Sequence, residues 1–200
     1  GKEQSGFVQS IGFEMYCKIL EEAVEEMRRG VEVEAETVEE KLVPGRPTDP
    51  KLDVDFDLLI PADYIPYELE RITIYHRLVN FTAVEQIENL KEELIDRFGQ
   101  YPPEVELFLM AIELKILAGK LFAERIIVNE RKIKLIFDQA VEKEDVFFGL
   151  YMPRMMEQAL AKVRFLNQKN LGVEFEAKGK NKQERMRFAI NLLHYILAES

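Results

Sequence analysis

The sequence predicts an α+β domain: a small mixed or antiparallel sheet packed against several helices, preceded by an N-terminal connector helix. Three observations carry this expectation. Two helical segments meet at a break over residues 99–102, one with a single apolar stripe and the other apolar nearly all round. Residues 52–60 alternate apolar and acidic, the period of a strand with one wet face. Two short apolar runs flank residues 129–131 at hairpin spacing.

Taken in order, residues 10–29 have Ser10 as a candidate cap and Gly30 as a stop. Phe13, Tyr16, Cys17, Leu20, Val24 and Met27 fall on one helical face, with Glu14, Lys18, Glu21, Glu22, Glu25 and Arg28 on the other. Residues 31–36 (VEVEAE) give a weak strand signal, and residues 41–50 (KLVPGRPTDP) read as a linker. The expected organisation is therefore a connector segment over 1–40 and a domain over 50–200.

Pro61 ends the alternating strand, and Pro66 suits the first turn of a helix with the stripe Leu69, Ile72, His76 and Val79. Thr82 and Glu85 have capping-box spacing before a helix striped by Val84, Ile87, Leu90, Leu94 and Phe98. Gly99 is placed to end it. The next helix begins at Pro103 and carries too many large apolar groups for one stripe, from Val105 to Phe122, so burial on most sides is expected. Such side chains contribute about 1.5–3 kcal/mol each on full burial, which makes this helix the expected stability centre. After the hairpin, a helix is expected over 152–166, a strand over 173–177, and a last helix over 182–198 with the stripe Met186, Ala189, Ile190, Leu193 and Leu197.

Composition bounds the function. The 200 residues carry a net charge of −10, and the pI is about 4.9. Such a surface repels phosphate backbones, so direct nucleic-acid binding is not expected. It suits a basic protein partner, or solubility alone. The single cysteine, Cys17, permits no internal disulfide, which fits a cytoplasmic setting. No apolar run reaches the roughly 20 residues of a membrane span, and the first residues lack the order of a secretion signal. The polar start GKEQSGFVQS reads as the beginning of a fragment.

Candidate sites mostly resolve into structure. Asp53, Asp55 and Asp57 have the alternation of a calcium loop, but Leu58 stands where that loop needs glycine, so a wet strand face is the better reading. Gly119-Lys120 lacks the earlier glycine of a phosphate loop, since Leu114 occupies that position. His76 and His194 lack metal-site spacing, and His76 reads as a packing residue. No metal or cofactor is expected. Lys178, Lys180, Lys182, Arg185 and Arg187 read as an exposed basic turn at the start of the last helix. Finally, Glu85, Asn89, Glu92, Glu93 and Asp96 point away from the apolar stripe of their helix. Glu93 and Asp96 are i, i+3 neighbours whose mild repulsion a basic partner would relieve. Composition alone favours a solvated face over a docking surface, because most exposed charge pairs do nothing specific, and a carboxylate-based active site is a third alternative.

The wording EELIDRFGQYPPEV at 92–105 resembles the C-terminal domain of bacterial transcription-repair coupling factors, the Mfd family. Three further stretches agree in order. GKEQSGFVQSIGFEMYCKILEEAV resembles the segment leaving the family's translocase motor. DVDFDLLIPADYIPYELERITIYHRL resembles its strand, proline-flanked turn and next helix, and IIVNERKIKLIF corresponds to its strand pair. The resemblance is specific up to Phe122 and looser beyond Gln139.

The resemblance implies that the parent is an ATP-driven DNA translocase that displaces stalled RNA polymerase and recruits UvrA. It implies that this piece lacks the motor and is no enzyme. It also implies that the domain folds back on the UvrB-like N-terminal module of the same protein and masks the UvrA-binding surface. The implied contact runs from Glu93 and Asp96, with Glu92 and Asn89 beside them, to a basic surface. The alternative is a stand-alone acidic adaptor that binds another basic protein.

Overall fold

The computed structural model describes residues 48–157, 161–167 and 169–197. The expected connector helix, the 31–36 extension and Cys17 lie outside the described residues. The sheet has five strands: β1 (Lys51–Val54), β2 (Ala123–Val128), β3 (Lys132–Phe137), β4 (Val163–Asn167) and β5 (Leu171–Glu176). Their order is β1-β2-β3-β5-β4. The β1–β2 pair is parallel, and the other three pairs are antiparallel. The helices are α1 (Glu68–Val79), α2 (Val84–Phe98), α3 (Pro103–Lys120), the short α4 (Met152–Met156) and α5 (Lys182–Leu197). The fold is α+β, as expected, and of the two sheet types left open it has the mixed one.

The pleat sorts the sheet's two faces. Leu52, Ile126, Val128, Ile133, Leu135, Phe137, Val173 and Phe175 are buried. The other face carries charged cross-strand contacts: Glu174 of β5 meets Lys132 of β3 at 3.2 Å and Arg164 of β4 at 3.3 Å. Helix α3 packs on β1 and β2, on α5, and on α1 and α2, so it is enclosed. It runs parallel to α5, since Glu106 and Glu113 reach Arg187 and His194 at 3.6 and 3.4 Å. Its C-terminal turn lies against the entering chain. Thr48 donates its N–H to Gly119 O at 3.1 Å, and a Cβ on Gly119 would sit 2.3 Å from Thr48 O.

Several expectations are corrected. The alternation over 52–60 continues in burial, with Leu52, Phe56, Leu58 and Ile60 all buried, but the strand itself ends at Val54. The chain bends away there, opposite Val128 and the β2–β3 turn. On α1 the buried residues are Ile74, Tyr75 and Leu78, while Leu69 and His76 are exposed. This helix has apolar residues on several sides, so a second stripe fits its period equally well, and Tyr75 settles the choice by accepting the Ile60 N–H at 2.6 Å. His76 is therefore not a packing residue. The cap of α2 moves one residue: Ala83 is the N-cap, and Gln86 accepts from the Thr82 and Ala83 N–H groups at 2.8 and 3.0 Å. The expected helix over 152–166 reduces to Met152–Met156, because residues 163–167 pair with β5 as an edge strand.

Candidate functional site

The acidic face belongs to α2, and its aim follows from how α2 is fixed. Ile87, Leu90 and Leu94 are fully buried, and Val84 and Phe98 pack at the edge of the same stripe. Burying that stripe against α3 turns the opposite side outward. The C-terminal end is clamped. Gly99 takes a positive φ of 80°, and its N–H bonds Ile95 O at 3.0 Å. The Tyr64 hydroxyl lies 3.2 Å from Leu94 O and 3.0 Å from Gly99 O, and Tyr64 meets Phe98 edge-on at 6.0 Å. Burial, with Tyr101 adding to it, pushes the Tyr64 phenol above its ordinary pKa, so it remains a donor to those carbonyls.

Glu85, Asn89, Glu92 and Asp96 are all exposed. Glu85, Glu92 and Asp96 make no ion pair among the described residues. Glu93 stands differently. Arg77 of α1 grips it through two bonds, 3.0 and 2.8 Å, and Arg97 of α2 adds one at 2.9 Å. Arg97 also pairs with Glu70 of α1 and stacks over Phe98 at 4.8 Å. The hydrogen bond from Arg77 holds the Glu93 carboxyl below its ordinary pKa, partial burial opposes this, and Arg97 adds to the lowering. Glu93 is thus on the edge of the face that points toward α1, and its charge is already matched. One signal of this is present in the sequence, the i, i+4 spacing of Glu93 and Arg97. Arg77 and Glu70 belong to a different helix and no spacing announces them.

The other candidates have settled structural positions. Asp53 pairs with Arg125 at 2.5 Å. Asp55 accepts the Glu130 N–H at 3.0 Å and pairs with Arg185 at 3.3 Å. Arg185 is therefore buried, which corrects its place in an exposed basic turn. Lys182 lies over Phe56 at 5.7 Å, and Lys178 over Phe188 at 5.9 Å. Gly119 and Lys120 are the last residues of α3. No group of three or more His, Cys, Asp or Glu side chains among the described residues is arranged to hold a metal ion. No described helix is long and apolar enough to cross a membrane. A cavity of about 500 Å³ opens on the outer face of the sheet. It is lined by Lys134 and Lys169 as well as Glu124 and Asp138, not by a set of convergent acids. The acidic residues of α2 lie instead on an exposed helix face.

An α+β domain with a five-stranded mixed sheet has a known counterpart. Residues 54–146 match the TRCF domain family. The chain is 42% identical over 116 residues to the transcription-repair-coupling factor of Staphylococcus haemolyticus, covering 58% of this chain and 9% of that protein. It is 39% identical over 136 residues to the one from Staphylococcus epidermidis, covering 68% of this chain and 11% of that protein. The chain belongs to the TRCF-domain family, the C-terminal domain of transcription-repair coupling factors. The crystal structure of the C-terminal domain of a transcription-repair coupling factor has the same fold, with a TM-score of 0.67 and 23% identity, covering 76% of this chain and 94% of that one. The matched region spans about a tenth of the length of these relatives.

Proposed function

We propose that this domain regulates a transcription-coupled DNA repair translocase by docking its acidic α2 face on the UvrB-like N-terminal module of the same protein, masking the surface that binds UvrA. The observation that carries this reading is the set of exposed carboxylates without an ion pair among the described residues, Glu85, Glu92 and Asp96, on a helix clamped at its C-terminal end. Unpaired acids on one face repel each other and gain from a basic partner. A clamped helix presents them at fixed spacing, so little ordering cost is added on docking. Two modules on one chain meet at high effective concentration, and a weak interface then suffices to hold the closed state. Engagement with RNA polymerase and DNA would favour the open state. The domain acts here through binding.

The test is charge reversal in the full-length protein. Glu93→Lys with Asp96→Lys is expected to raise capture of UvrA in the absence of RNA polymerase. Unchanged capture would sink the docking reading.

A further inference from the structure

A basic protein surface that approaches α2 meets carboxylates in two conditions. Asp96 and Glu92 are exposed and unpaired among the described residues. Glu93 is held from two sides, by the bidentate Arg77 at 3.0 and 2.8 Å and by Arg97 at 2.9 Å. Arg97 is tied back to α1 through Glu70, which gives a continuous row Arg77–Glu93–Arg97–Glu70 across the two helices. Its members keep 31–39% of their side-chain surface, so a partner reaches them.

The geometry points to Arg77 and Arg97 as the residues that set docking affinity, by holding Glu93 back from a basic partner. This inference rests on the docking reading above and adds what limits it. A carboxylate already bonded to two guanidinium groups has fewer acceptor sites and less unmatched charge to give a third cation. To take Glu93, the partner must break a bond from Arg77 or Arg97. Arg97 also places a positive charge within one turn of Asp96, where it repels a basic surface. Caging and repulsion are separable, because caging acts only through Glu93. Both keep the contact weak, which suits a closed state that must open on demand.

The experiment is an equilibrium titration of this chain against the separately produced UvrB-like module at low salt. Asp96→Lys is expected to weaken binding by about tenfold, as loss of an exposed charge contact and gain of a repulsive one. Arg77→Gln is expected to tighten it about fivefold, the scale of one exposed ion pair. In a Glu93→Gln background the same Arg77→Gln change is expected to give less than about a twofold gain, as in any cycle whose coupled partner is gone. Lys91→Gln removes a cation from the same helix that pairs with Glu88 at 2.7 Å, and leaves Glu93 untouched. It is expected to leave binding unchanged. If Asp96→Lys has no effect, the docking reading itself falls. If Asp96→Lys weakens binding, three results overturn the arginine inference alone. These are no gain from Arg77→Gln, an equal gain without Glu93, or an equal gain from Lys91→Gln. Arg77→Met repeats the test should Arg77→Gln not fold.

Discussion

Helices α2 and α3 follow each other across a four-residue break, residues 99–102, and divide the work of the domain between them. In α3, 13 of 18 residues are buried; in α2, only Ile87, Leu90 and Leu94 are. The first is packed on every side by sheet and helices. The second gives one stripe to the core and the rest to water. Stability and the exposed acidic surface are thus held by neighbouring but separable elements. Changes in α3 should cost folding and leave the surface chemistry of α2 alone, and changes on the outer face of α2 should do the reverse.

The largest expected effect lies in α3. Phe108 is 1% exposed, and its ring stands 5.5 Å from Tyr75, whose hydroxyl receives the Ile60 N–H. Phe108→Ala removes the ring and leaves a cavity, so a loss of about 3–5 kcal/mol is expected in urea unfolding. A loss below about 1 kcal/mol would mean that α3 is not the stability centre. Gly119→Ala is the next in size. Alanine in place of glycine ordinarily helps a helix by about 1 kcal/mol. Here the added methyl would lie 2.3 Å from Thr48 O and break the fit of the entering chain, so destabilisation by about 1–3 kcal/mol is expected instead. The sign of the change in unfolding midpoint is the measurement, and a stabilised variant would refute the close contact.

The outer face of α2 gives the contrasting result. Glu92→Lys with Asp96→Lys is expected to change unfolding free energy by no more than about 0.5 kcal/mol, because neither side chain is buried or paired within the described residues. A cost on the scale of Phe108→Ala would turn this face into packing and end the division between the two helices.

How much of this was legible in the sequence follows the same line. The α2 stripe and the all-round burial of α3 are local periodicities, and both are as predicted. The α1 stripe is not, because Ile72, Ile74, Tyr75, Leu78 and Val79 allow more than one face, and only contact with Ile60 and α3 selects among them. Residues 163–167 form an edge strand whose partner is β5, and the apolar and methionine-rich stretch before them favours helix locally. The parallel pairing of β1 with β2 joins residues more than 70 positions apart, as Asp53 opposite Ile127, and no pattern in either segment encodes it. At the site, outward carboxylates were legible from the helical wheel. The capture of Glu93 by Arg77 was not, because it depends on how α1 lies beside α2.

That captured carboxylate makes the smallest prediction and joins the two halves of the comparison. Arg77 first, with Arg97 in support, holds the Glu93 pKa below its ordinary value against the opposing effect of partial burial. A depressed folded-state pKa means that the native protein releases the proton at a lower pH than the unfolded chain. The resulting stability is fully present above the ordinary glutamate value of about 4.3 and is lost as pH falls through the lower folded value. With about a third of the side chain open to solvent, the contribution at neutral pH stays below about 1 kcal/mol. Glu93→Gln is therefore expected to be slightly less stable than the parent chain at neutral pH and equal to it once Glu93 is protonated. Urea midpoints for both chains across pH 7 to about 3 measure this directly. Raising the salt should shrink the neutral-pH gap, since the network is within reach of counterions. A gap that ignores both pH and salt would mean that Glu93 contributes through shape alone, and that Arg77 and Arg97 do not hold its charge.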